Sequence, residues 1–180
     1  MSTLRVNEVQ DSTGKIILRN SGGILQVIQT YVDTPTSQSI SAQTYTDISG
    51  ISASITPSST SSKILVHARW FGETAVVENS GFGLRRNGTI IGAPVTPGLR
   101  AAVMTTASIN YGVAADNSST PESAQLWYLD SPNSTSSVTY TMWYSNNSAV
   151  TLFSGRTITD TNTFNFERGT CAMILMEVSA

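Results

Sequence analysis

The stretch from Ile51 to Phe71 sets the narrowest limits on what this chain can fold into. It runs Ile-Ser-Ala-Ser-Ile-Thr-Pro, then a connector of serines and threonines, then Lys-Ile-Leu-Val-His-Ala-Arg-Trp-Phe. In its second half Ile64, Val66, Ala68 and Trp70 fall on one side, and Lys63, Leu65, His67, Arg69 and Phe71 on the other. A period of two is that of a strand with one face in a core. Pro57 has no N–H to give a ladder, so it ends the first strand. The expectation is a hairpin-like unit, a strand, a turn and a strand, and the rest of the chain repeats the theme.

Upstream, residues 1–23 read differently. Leu4, Val6 and Val9 lie in one short extended run, Asp11-Ser-Thr-Gly14 is a turn signal, and Ile16, Ile17 and Leu18 form a second run before Ser21-Gly22-Gly23 breaks the chain. Two strands this short cannot bury enough apolar surface to stand alone. Two readings stay open: a hairpin folded onto the main domain, or a segment ordered by sister chains or a docking protein. The Gly-Gly junction, as a hinge, favours the second.

From Ile24 strands are expected at short intervals: Ile24–Val32, Tyr45–Ile48 and Ile51–Ile55 around Ser49-Gly50, Ile64–Phe71 and Gly81–Arg86. Asn87-Gly88 predicts a two-residue type I′ turn into Thr89-Ile90-Ile91, because that turn needs positive φ at both positions. Ala101–Val113 reads as a strand on the strength of Thr105, Thr106, Ile109 and Tyr111. Ser123–Asp130, Val138–Tyr144 and Ala149–Phe153 follow, and Cys171–Val178 closes the chain, apolar on both faces and so placed in the middle of a sheet. No amphipathic helix is evident. The pattern predicts an all-β fold, an antiparallel β-sandwich of jelly-roll-like type over residues 24–180, with an extended N-terminal attachment segment over residues 1–23.

Composition narrows the function. Charged residues are 12% of the chain, about half the usual share for a soluble domain. The 50 Ser and Thr residues take the polar role instead. With a net charge of −2 and scattered Lys and Arg, there is no electrostatic case for nucleic acid. No apolar run approaches membrane-spanning length, and the N-terminus lacks the apolar core of a signal peptide, so synthesis in a cytoplasm without standard export is expected.

Chemistry-bearing motifs are absent. Cys171 is the only cysteine, which rules out an intrachain disulfide and a cysteine metal cluster, and its apolar neighbours mark it as a core residue. His67, the only histidine, sits mid-strand among apolar residues and reads as structural. There is no Gly-x-Ser-x-Gly elbow, phosphate-cradling loop or His-rich metal motif. Asp160 with Asn162 offers oxygen ligands but matches no calcium-loop spacing. No catalytic residue, metal ligand or cofactor is expected. Trp127 and Trp143 alternate against the clearer apolar sets of their strands, and an outward Trp fills a subunit interface or stacks on a sugar.

Three pieces in order carry a resemblance: Ser2-Thr-Leu-Arg-Val-Asn-Glu-Val-Gln-Asp-Ser-Thr-Gly with Gly22-Gly-Ile-Leu-Gln-Val-Ile; Tyr45-Thr-Asp-Ile-Ser-Gly through Lys63-Ile-Leu-Val; and Leu129-Asp-Ser-Pro with the ending Ile174-Leu-Met-Glu-Val. Together they resemble the small fibre or spike proteins of tailed bacteriophages, of marine phage and cyanophage type. The resemblance implies a non-enzymatic virion protein, assembled in the host cytoplasm: a homotrimer that holds other virion proteins through residues 1–23 and presents a β-sandwich knob to a host glycan or protein. On that reading Leu4, Val6, Val9, Ile16 and Leu18 anchor the chain. Loops Glu73–Ser80, Ala114–Glu122 and Ser145–Ala149 are candidate tips. The other readings are a head fibre or capsid decoration protein, and a sugar-binding module working through Trp127 or Trp143.

Overall fold

The computed structural model describes residues 8–14, 16–19, 23–76, 78–96, 98–107 and 120–180. Among them are twelve strands and no helix: β1 (Glu8–Gln10), β2 (Ile16–Arg19), β3 (Ile24–Val32), β4 (Thr36–Ile40), β5 (Thr46–Ile55), β6 (Lys63–Thr74), β7 (Gly81–Arg86), β8 (Thr89–Ile91), β9 (Glu122–Asp130), β10 (Val138–Ser145), β11 (Val150–Ser154) and β12 (Cys171–Val178). β1 and β2 pair as a separate two-stranded sheet, with Val9 opposite Leu18. The others form two antiparallel sheets of a sandwich. The all-β sandwich expectation holds.

β6 is the spine of the larger sheet. Residues 64–72 pair along one edge with β9, while the other edge takes β12 over residues 63–69 and β11 over 72–74. β3 lies beyond β12 and β4 beyond β11. Ile64, Val66, Ala68 and Trp70 are buried, as their alternation predicts, and the Trp70 indole N–H donates to Ser154 Oγ at 2.9 Å. Gly72 sits where β9 and β11 meet on β6; a Cβ there would lie 1.9 Å from the Phe153 carbonyl oxygen, so only glycine admits the junction.

The smaller sheet runs β5-β10-β7-β8. Asn87 and Gly88 both have positive φ, 48° and 81°, as the type I′ turn requires. The two short strands expected around Ser49-Gly50 are one strand, β5. Its register against β10 jumps from Asp47–Trp143 to Ser52–Thr141, so a bulge absorbs the extra residues without ending the pairing.

The hairpin-like reading of Ile51–Phe71 is corrected here. β5 pairs with β10 and β6 with β12, β9 and β11, so the connector is an arch from one sheet to the other. Each strand has one strongly apolar face, and facing them across the sandwich buries both; side by side in one sheet, both would need another cover. Glu177 pins the arch. Fully buried, it accepts from Ser58 N (2.7 Å), Ser58 Oγ (2.6 Å) and Gln26 Nε2 (2.6 Å). In the same ladder row, on the far side of Ile64, Asp130 of β9 accepts two bonds from Arg86 Nη1 and one from the Tyr140 hydroxyl, tying both sheets together. Burial and that carboxylate push the Tyr140 phenol pKa up.

Two further differences concern weak signals. β4 was not legible, because Thr36–Ile40 carries a single apolar residue. The strand expected at Ala101–Val113 is absent over residues 101–107, which hold only an isolated bridge from Thr105 to Phe82; residues 108–113 lie outside the described set.

Candidate functional site

Trp143 is neither a surface nor an interface aromatic. Its side chain is fully buried in a slot outside the main core, edge-on to Tyr45 with ring centroids 4.7 Å apart. The slot exists because Gly83, directly across the ladder, has no side chain: a Cβ there would come within 2.2 Å of the indole. The indole N–H donates to the Leu84 carbonyl at 3.2 Å. Alternation gave the correct side of the sheet but could not reveal that a glycine and a tyrosine close over it.

Trp127 is exposed. Val9 is exposed on β1, and Ile16 and Leu18 are backbone partners of Gln10 and Val9; Leu4 and Val6 lie outside the described residues. Cys171 is buried on the inner face of its strand, and burial pushes its thiol pKa up, away from reactivity. His67 belongs to the outer face, so the two do not form a nucleophile pair. Asp160 accepts from Arg168 Nε (3.0 Å) and Nη2 (2.6 Å), with Arg156 at 3.7 Å, which fills the place a calcium ion would need. Among the described residues no cluster of His, Cys, Asp or Glu is placed to hold a metal.

The outer face of the larger sheet is different. The ladders align Val27, Met176, Leu65 and Leu129 in one row, and Gln29, Ile174, His67 and Trp127 in the next. A third row runs Tyr31, Ala172, Arg69 and Gln125. Leu25, Val27, Tyr31, Trp127 and Leu129 are each about half exposed, between 49% and 59%. Arg69 is the one charged side chain in these three rows, and its guanidinium is engaged by the carbonyl and hydroxyl of Thr170. Burial lowers the His67 pKa, its hydrogen bond to Gln125 works the other way, and Arg69 lowers it further. The face thus presents apolar rows with little charge.

The face is broad. Four strands about 4.8 Å apart and some eight residues long cover roughly 500 Å² before side-chain relief is added. That is the order of the roughly 800 Å² each partner gives to a stable protein–protein contact. Scattered exposed apolar residues need no explanation, but contiguous rows on one sheet face do.

A concavity of about 620 Å³ lies at one end of the sandwich, where the β4–β5, β6–β7 and β10–β11 turns meet. No protein-family model matches the chain, and no curated protein matches it.

Proposed function

We propose that this protein is a structural component of a tailed-phage virion: a trimeric tail fibre or spike subunit, joined to other virion proteins through residues 1–23 and exposing its β-sandwich as a knob for host attachment. The observation that carries the reading is the apolar outer face on β3, β12, β6 and β9. Strands apolar on both sides make sense when a symmetry axis supplies the second cover. The hydroxyl-rich, charge-poor composition and the resemblance to small phage fibre proteins support the same reading, which gives the chain no catalytic role.

The test is the native mass of the full-length protein by light scattering. The expected value is three times the 19.2 kDa of one chain. A single-chain mass at every concentration sinks the autonomous trimer. Immunogold labelling of intact particles then separates a tail fibre from a head fibre or capsid decoration protein.

A further inference from the structure

We propose that the cleft at the end of the sandwich is a binding site for an uncharged, polyhydroxylated ligand, a neutral saccharide. The inference goes beyond the assembly reading and does not rest on it, since a monomer carries the cleft as fully as a trimer.

The site is built on a rigid floor. Asn146, 1% exposed, shares its two Nδ2 hydrogens among Glu78 O (3.0 Å), Ser80 Oγ (3.1 Å) and the Tyr144 hydroxyl (3.2 Å), and accepts from Ser148 N at 2.8 Å. Ser80 and Tyr144 are buried and share a bond of 2.8 Å. The Asn146 carbonyl accepts from Gln43 N at 2.8 Å. One buried, satisfied network therefore fixes three turns that are far apart in sequence. Two of those turns are the stretches the sequence marks as tips, Glu73–Ser80 and Ser145–Ala149.

The rim, by contrast, has hydrogen-bonding capacity to spare. Among the described residues no hydrogen bond reaches the Asn79 side-chain amide, Asn147 Nδ2, Gln43 Oε1 or the Thr106 hydroxyl, all of which line the cleft; the Gln43 amide spends only its Nε2, on Asn147 Oδ1. Gln43 and Asn79 both hold left-handed backbone, at φ 57° and 60°. A turn explains such a conformation for Asn, which tolerates it, but not for Gln. Strain of this kind persists where the surroundings enforce it, and concentrates at binding sites.

The lining decides the ligand class. Among the described residues no charged side chain borders the cleft, which removes the basis for holding carboxylates, phosphates or cations. Side-chain amides donate and accept side by side, matching hydroxyl groups that do both. The Tyr45 ring with Leu99 and Val103 adds the apolar wall that the C–H face of a sugar packs against. A volume of about 620 Å³ lies within the range of small-ligand sites, roughly 300–1,000 Å³.

The test uses the full-length protein on a printed array of neutral hexose and N-acetylhexosamine oligosaccharides beside sialylated and uronate-bearing ones. Asn79→Gly with Asn147→Ala removes two rim amides, and glycine keeps the left-handed backbone, so an unchanged melting temperature certifies the fold. The expected result is binding to a neutral class, weakened about tenfold or more in the double variant by loss of these hydrogen bonds. The proposal is overturned if no neutral glycan binds, if only charged glycans bind, or if the double variant binds as tightly as wild type. A monomeric mass would overturn the trimer and leave this result standing.

Discussion

The indole of Trp127 lies flat on the imidazole of His67, ring centroids 3.7 Å apart and planes 9° from parallel. The two residues are direct partners across the β6–β9 ladder, and His67 Nε2 is buried there without a hydrogen bond. The charged ring is therefore disfavoured: burial takes it out of water, and Arg69 on the same strand repels it. The neighbours on this face, Ile174, Leu65 and Gln125, bring no carboxylate, and the Gln125 hydrogen bond offsets the lowering only in part. Because the folded pKa lies below the ordinary 6.5, stability is full above 6.5 and falls as pH drops from there through the folded value. Melting temperatures from pH 7.5 to 5 should show that fall in wild type, and His67→Phe should flatten it. An equal slope in both would disprove the assignment.

Leu129→Lys puts a charge at a half-exposed position of the apolar face without touching the core. The full-length variant should scatter light as a single 19.2 kDa chain where wild type does not, with its melting temperature little changed. A variant that keeps the wild-type mass would move the interface elsewhere on the molecule.

Gly83 and Trp143 form a matched pair, and either half can be changed. Gly83→Ala forces a methyl into the indole and should cost about 1–3 kcal/mol by overpacking. Trp143→Ala empties the slot and should cost about 3–5 kcal/mol. Urea unfolding measures both. If either variant unfolds at the wild-type midpoint, the indole does not occupy that slot.

Glu177 sets the acid limit of the fold. Burial alone would raise its pKa, but bonds from Ser58, Gln26 and Ser62 outweigh it and hold the carboxyl at about 2. Its contribution is present above the ordinary 4.5 and is lost as pH falls toward about 2. Glu177→Gln should weaken the fold at neutral pH by about 1–3 kcal/mol through the unmade bonds and show a smaller further loss between pH 4.5 and 2. A variant with the wild-type acid profile would assign the transition to another group.

Strands with a strict period of two were legible in place: Cys171–Val178 matches at both ends, β6 runs three residues past the expected Phe71, and the Asn87-Gly88 turn has the φ angles its residues predict. Ladder partners were not. Nothing local in Ile51–Phe71 distinguishes two strands that pair from two that face each other, because the apolar alternation is the same in both. Burial of Trp143 depended on a glycine 60 positions away, and alternation along one strand carries no information about its neighbour. The outer face could be read only in part, as double-sided apolar strands, since its rows need four registers at once. The cleft was out of reach: Gln43 was unremarked in the sequence, and its free carbonyl matters only because Asn146 folds that turn against two others.

Gly23 and Ser179 close the sandwich like a clasp: Gly23 N donates to Ser179 Oγ at 3.0 Å, and Ser179 N to the Gly23 carbonyl at 2.9 Å. The chain thus enters and leaves the knob at one corner, at the start of β3 and just past the end of β12. A pull arriving through residues 1–23 along the axis of β3 meets the whole antiparallel ladder from Ile24–Val178 to Val32–Cys171 in shear. Its hydrogen bonds then bear the load together, not one after another as in a zipper, while β12 is held from behind by β6. If the chain is held through residues 1–23, as proposed, this geometry makes the sandwich resist being unravelled from that end.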